Sequence, residues 1–195
     1  IIINNYCDRI ESYFSSSANN NVLVASGYQQ FESLGANSCI VNSIDLSVTG
    51  QKVSAIISNT FTPHHMYNSS GIKSSKHIYE SDTCLNSDAL IDTLNTLQPS
   101  FAFLGFCGDG KSLYHKLWGK DENQNSYADS NEVYEETLLD ETNVVKLKSN
   151  TCFFTYPAAS MKNESGFNIS KAILSGSGLA FCGQSMFLED LQNSK

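Results

Sequence analysis

The stretch that most constrains this chain is Phe101 to Gly110. It is an unbroken apolar run, Phe101-Ala102-Phe103-Leu104-Gly105-Phe106-Cys107, closed by Gly108-Asp109-Gly110. A short apolar run with a glycine-rich stop is the pattern of a buried strand meeting a tight turn. Ser112 to Trp118 then has the composition to return antiparallel to it. Just upstream, Ser87 can cap a helix carrying Leu90, Ile91, Leu94 and Leu97, with Asp88 at the favourable end of its dipole and Pro99 ending it.

The flanking segments extend this frame. Ile3, Cys7, Ile10 and Phe14 fall on one face of an amino-terminal helix, and Val24, Tyr28, Phe31 and Leu34 fit a second helix ended by Gly35. Ile44, Leu46 and Val48 alternate, Thr49-Gly50-Gln51 supplies a turn, and Val53 to Ile57 pairs as a second strand. Residues 62–83 read as a long polar loop. Beyond Trp118 come an acidic loop, a short helix, and strands at Cys152–Tyr156, Asn168–Leu174 and Leu179–Cys182, with Gly176-Ser177-Gly178 as a hairpin turn. Phe187 to Gln192 closes as a helix. Helices first and antiparallel strands afterwards predict one domain over residues 1–195: an α+β fold, with an antiparallel sheet and the amino-terminal helices packed on one side.

Composition narrows the partners. With 41% hydrophobic residues the chain can fill a core, and a formal charge of −8 disfavours nucleic acid and anionic membrane surfaces, which recruit Lys/Arg stripes. No apolar run is long enough to span a bilayer, so membrane attachment is expected only through segments outside this chain. The start at Ile1-Ile2-Ile3, with neither initiator Met nor signal peptide, suggests a processed protein or an excised ectodomain. Cysteines at 7, 39, 84, 107, 152 and 182 include no Cys-x-x-Cys pair. Their even number and wide spacing suit up to three long-range disulfides in an extracellular or periplasmic setting. The N-x-[ST] sequons at Asn68, Asn163 and Asn168 add little, because so Asn- and Ser-rich a chain produces them by chance.

No complete catalytic signature is present. A G-x-S-x-G elbow and P-loop spacing are both absent. A Cys–His pair can be proposed from Cys107 and His115, but Cys107 reads better as a core or disulfide residue. His64, His65, His77 and His115 lack metal-ligand spacing. The one metal-like pattern runs from Asp121 to Glu132, where Asp121, Asn123, Asn125, Asp129 and Glu132 hold the oxygen positions of an EF-hand-like calcium loop. Ser126 stands where that loop needs Gly for its sharp turn, and Ala128 where it has a larger apolar residue. Tyr114, Trp118, Tyr127 and Tyr156, with apolar rings and polar tips, are the candidate lining of a small-molecule pocket.

A resemblance joins these pieces. Leu90 to Pro99 running into Phe101–Phe106 and Gly108-Asp109-Gly110 resembles the helix–strand–turn entry of Cache-type sensor domains. Thr151–Tyr156, Asn168–Leu174 and Leu179–Leu191 resemble their closing strands and exit segment. The resemblance covers residues 86–192 as a pattern, and it implies a PAS-like sheet binding a small metabolite. The Arg-Trp-Tyr signature of amino-acid-binding members is missing between Trp118 and Leu147, so no ligand class carries over.

Three expectations follow. The first is an extracytoplasmic domain that senses a small molecule. The second is a secreted or surface interaction protein, calcium-stabilised through Asp121–Glu132, that meets a protein partner or a second copy of itself. The third is a hydrolase whose site is assembled from separate chain segments, with His and Cys or carboxylate groups converging in a cleft.

Overall fold

The computed structural model describes residues 2–15, 19–33, 41–68, 81–125, 128–156 and 166–182. Along the chain lie α1 (Ile2–Ser15), β1 (Asn21–Ser26), β2 (Tyr28–Ser33), β3 (Val41–Asp45) and α2 (Ser47–Ile57). Then come β4 (Thr62–Tyr67), β5 (Thr83–Cys84), α3 (Ser87–Leu97), β6 (Phe101–Gly105), β7 (Cys107–Gly108) and β8 (Leu113–Trp118). The remainder holds β9 (Val133–Leu139), a 3-10 turn at Val144–Lys146, β10 (Cys152–Thr155), α4 (Ile169–Gly176) and β11 (Ala180–Cys182).

The expected antiparallel sheet is not the frame of this fold. Six strands form one sheet in the order β11-β10-β6-β1-β4-β5, and every pairing in it is parallel. Parallel neighbours need crossover connections, and helices supply them. α3 links β5 to β6, and α4 links β10 to β11. The helices therefore cover both faces instead of one. Leu23, Ala25, Ala102, Leu104 and Phe153 pack with Leu90, Ile91 and Leu94 of α3 and Ile169 and Ile173 of α4. Val22, Val24 and Phe103 form a second cluster with Val53 and Ile57 of α2. This α/β layering also replaces the PAS-like sheet that the resemblance implied.

Several local expectations fail for one reason. A strand buried on both faces carries no alternation, so Val22-Leu23-Val24-Ala25 lacks a period-two signal and blurs with a helix. The predicted second helix is β1 and β2, and the predicted strand pair around Gly50 is the end of β3 followed by α2. Gly50 stands inside that helix because a Cβ there would lie 2.8 Å from Ser26 Oγ. Residues 62–67 are β4 and not loop, and Asn168–Leu174 belongs to α4 and its cap. Gly176-Ser177-Gly178 is consequently a helix-to-strand turn. The helix predicted at Phe187–Gln192 lies outside the described residues.

Other expectations hold. α1 and α3 are helices, and Asn86 rather than Ser87 caps α3 by accepting from Ala89 N–H at 2.9 Å. Cys107 and Gly108 pair antiparallel with Tyr114 and Leu113 across the Asp109 turn.

A second, antiparallel sheet, β3-β2-β8-β7 with β9 paired to β8, grows out of the first. β1 runs through Gly27 into β2, and β6 runs through Phe106 into β7. The junction is clamped by Gly27 N–H donating to Gly105 O at 3.0 Å and Leu46 N–H donating to Gly27 O at 3.1 Å. Phe106 and His115, both fully buried, meet there edge to face at 6.5 Å.

Candidate functional site

Counting only the strands of the parallel sheet in chain order, the spatial order is 3-2-1-4-5-6. In such sheets the ligand crevice opens beyond the carboxyl ends of the two central strands, where the order reverses. Here those strands are β1 and β6, and their continuation into the second sheet fills that position with Phe106 and His115. A dinucleotide-type glycine turn is absent too, since β1 leads into a strand and not directly into a helix.

Open space lies instead at the β4–β5 side of the sheet. A groove of about 390 Å3 is lined by Asn21 at the start of β1, His64 of β4, Thr83 of β5, and Asp92, Thr93, Thr96 and Leu97 of α3. Local rules place each group. In β4 adjacent side chains take opposite faces, so His64 joins the α3 side while His65 approaches Ser26 Oγ at 3.4 Å. α3 buries Leu90, Ile91 and Leu94, which leaves Asp92, Thr93 and Thr96 on its outer side. β5 pairs with β4 at Met66–Thr83 and Tyr67–Cys84, which sets Thr83 beside His64.

The geometry around His64 is directional. Its Nε2 lies 2.9 Å from Thr83 Oγ1, and its Nδ1 lies 3.9 Å from Asp82 Oδ2. Asp82 is fixed by the same carboxylate oxygen accepting the His65 backbone N–H at 2.7 Å. A carboxylate on the Nδ1 side favours the tautomer protonated there, leaving Nε2 to accept from the threonine hydroxyl. The imidazole side chain is 29% exposed and so reachable from the groove.

A second polar cluster stands where the two sheets meet. His115 Nε2 donates to Glu136 Oε2 at 2.7 Å, and Asn68 Nδ2 donates to the same oxygen at 3.0 Å. Cys84 Sγ is 3.9 Å from Asn68 Oδ1. The His115 hydrogen bond, opposed by burial and aided by the Asn68 amide, holds the Glu136 carboxyl below its ordinary range. His115 Nδ1, turned toward Gly27, has no hydrogen-bond partner among the described residues. The cluster reads as a bracket between sheets built on the buried His115 and Asn68, with Glu136 ionised to receive the imidazole N–H.

The residues singled out in the sequence do not converge. Tyr114 and Trp118 share one face of β8, with Tyr114 half-buried and Trp118 buried, whereas Tyr156 stands exposed beyond β10 in the other sheet. Tyr127 lies outside the described residues. Burial pushes the Tyr114 hydroxyl up to about 12. Cys107 faces Tyr114 across the hairpin while His115 points to the opposite side of β8, so the two form no dyad. Burial pushes the Cys107 thiol up to about 12, far from a nucleophilic thiolate.

In the Asp121–Glu132 loop the acceptors are engaged internally. Asn123 and Asn125 both donate to Asp129 Oδ2, at 2.7 and 2.9 Å, and Asn125 N–H donates to Asp121 Oδ1 at 3.0 Å. Buried Glu132 accepts the Glu122 N–H on one oxygen and the Trp118 indole N–H on the other, at 2.7 and 3.1 Å. Among the described residues no group of three or more His, Cys, Asp or Glu is arranged to hold a metal ion.

Of the up to three disulfides expected, none joins Cys7, Cys84, Cys107 or Cys152, and Cys39 lies outside the described residues. Asn68 and Asn168 are both buried through structural roles, the second accepting the Lys171 N–H to cap α4. Asn163 and His77 lie outside the described residues. Among the described residues no helix is long and apolar enough to cross a membrane.

The chain matches no known protein-family model, no curated protein and no solved structure. Of the groove residues, only His64 attracts notice in the sequence. Asp92, Thr93 and Thr96 are visible as the polar face of an amphipathic helix, while Asn21, Asp82 and Thr83 carry no local signal.

Proposed function

We propose that this protein binds a small, hydroxyl-rich molecule in the groove between α3 and the β4–β5 edge, and that ligand sensing is its function. The carrying observation is the lining: six of its seven residues, Asn21, His64, Thr83, Asp92, Thr93 and Thr96, have polar side chains. The volume of about 390 Å3 falls in the ordinary range for small-molecule sites, of about 300–1,000 Å3. Hydroxyls, an amide and a carboxylate offer both donors and acceptors, as a polyol or sugar requires. Asp92 and the neighbouring Asp82, with no Lys or Arg in the lining among the described residues, disfavour anions. Leu97 supplies one apolar contact for the ligand's carbon face.

Occupancy has a route into the fold. α3 presents Asp92, Thr93 and Thr96 to the groove and Leu90, Ile91 and Leu94 to the main core, so a ligand holding its outer side also holds its packing. That coupling is what a sensing domain needs.

The test is thermal unfolding of the full chain against a panel of hexoses, pentoses, glycerol and inositol, with acetate and phosphate as anionic controls. A ligand at a hundred times its dissociation constant adds about 2.7 kcal/mol, which for a domain of this size raises the midpoint by about 5–11 °C. The same ligand should lose its effect on Asp92→Ala. Stabilisation by the anions alone, or a polyol shift that survives both Asp92→Ala and Thr96→Val, would overturn the assignment.

A further inference from the structure

A hydroxyl and an imidazole of this groove, with a carboxylate beside the imidazole, stand in the order that activates a nucleophile. Thr83 Oγ1 is 2.9 Å from His64 Nε2, and His64 Nδ1 faces Asp82 Oδ2 at 3.9 Å. The first separation is a hydrogen bond. The second is an ion-pair distance, about an ångström longer than a hydrogen bond. Such contacts commonly tighten when substrate closes a site. The three come from β4, β5 and the residue before β5, so only the parallel pairing of two strands assembles them. Thr83 and His64 line a groove of about 390 Å3 whose remaining walls are Asn21, Asp92, Thr93, Thr96 and the apolar Leu97, with Asp82 beside His64 outside that lining.

We propose that the protein hydrolyses small carboxylic esters of hydroxylated alcohols, with Thr83 as nucleophile, His64 as general base and acid, and Asp82 as positioning residue; this rests on the groove being the ligand site. Thr83 Oγ1 attacks the ester carbonyl carbon as its proton passes to His64 Nε2. The tetrahedral intermediate collapses, the bond to the leaving alkoxide breaks, and that oxygen takes the proton from His64. A water molecule then attacks the acyl-threonine carbonyl, giving its proton to His64 Nε2. Collapse returns that proton to Thr83 Oγ1 and releases the carboxylic acid. Ester and water become acid and alcohol, with no other reactant. Asn21, on the groove wall, carries a side-chain amide that can donate to the developing oxyanion. Asp92, Thr93 and Thr96 hold the alcohol portion, and among the described residues no Lys or Arg lines the groove, which favours neutral esters over phosphorylated ones.

The full-length protein is assayed for hydrolysis of p-nitrophenyl acetate and for covalent labelling by a fluorophosphonate, located by peptide mass mapping. The expected result is turnover and a single adduct on Thr83. Both should fall about 100- to 10,000-fold in Thr83→Val and His64→Gln and be retained in Thr83→Ser. Asp82→Asn should lower kcat with little change in KM and shift the pH profile, a signature that loss of folding alone would not give. Turnover no faster than an equal concentration of free imidazole, an adduct elsewhere, or activity unaffected by Thr83→Val would overturn the proposal. Thermal stabilisation of Thr83→Val by the polyol panel separates the two readings: if it persists while wild-type hydrolysis is absent, the groove binds without catalysing.

Discussion

Gly27 is the point where the two sheets exchange the chain, and its hydrogen atom is all that fits there. A Cβ built on it would sit 2.5 Å from His115 Nδ1, 2.7 Å from His115 Cβ and 2.9 Å from His115 Cγ. Carbon pairs rest at about 3.5–4.0 Å, so the Gly27→Ala variant must open the contact by roughly an ångström. The imidazole cannot swing into water, because it is fully buried and tied through Nε2 to Glu136 at 2.7 Å. Gly27 cannot retreat either, since its N–H and C=O are both spent on Gly105 and Leu46. Overpacking of this kind costs about 1–3 kcal/mol. Displacing the ring also weakens a hydrogen bond to a carboxylate, worth about 1.5–3 kcal/mol. Together they predict a loss of about 2.5–6 kcal/mol, a large share of the roughly 5–15 kcal/mol that holds a domain together. Urea unfolding followed by circular dichroism should show a lower midpoint at unchanged slope. A double-mutant cycle with Glu136→Gln locates the damage: if Gly27→Ala has already broken the imidazole–carboxylate bond, the second change should cost much less in its presence. A single-variant loss under about 0.5 kcal/mol, or a strictly additive cycle, would refute the close-approach argument.

Glu136 titrates lower in the folded protein than in the unfolded chain, first because His115 donates to it, so the stabilisation is full above the ordinary carboxylate pKa of about 4.3 and disappears as pH falls through the folded value. Unfolding free energy measured from pH 7 to pH 3 should therefore decline, and Glu136→Gln should flatten that acid limb; an unchanged limb would count against the bracket. The Cys107 thiol, pushed up to about 12 by burial, should resist a thiol-specific disulfide reagent at pH 8 until the protein unfolds, whereas the exposed Cys84 reacts at once. Rapid labelling of the Cys107 peptide under native conditions would contradict its burial. Trp118, the single tryptophan, donates to Glu132, so any calcium ion that recruited Glu132 would have to break that bond and change the indole emission. With both carboxylate oxygens engaged, the emission should be unchanged by millimolar calcium, and a saturable change reversed by chelator would show Glu132 recruited.

What the sequence by itself determined is what neighbours in the chain decide. The 3–4 spacing of Leu90, Ile91, Leu94 and Leu97 with Pro99 beyond them specifies α3, and Gly108-Asp109-Gly110 specifies the turn between β7 and β8. Both depend on contacts within a few residues. The parallel sheet does not. Each parallel strand is stabilised by partners brought in across a crossover, as β1 is by β4 and β6, roughly forty and eighty residues away. Burial on both faces then removes the alternation that would have marked Val22–Ala25 as a strand. Gly50 shows the same limit, since its value in α2 lies in the approach of Ser26 and its local appearance is that of a turn residue. The candidate site follows suit. His64 was conspicuous, but its chemistry depends on Asp82 and Thr83, which reach it through the pairing of β5 with β4, and on a helix face that arrives from the next crossover. Local sequence sets what each segment can be; the long-range pairing of strands decides which side chains meet.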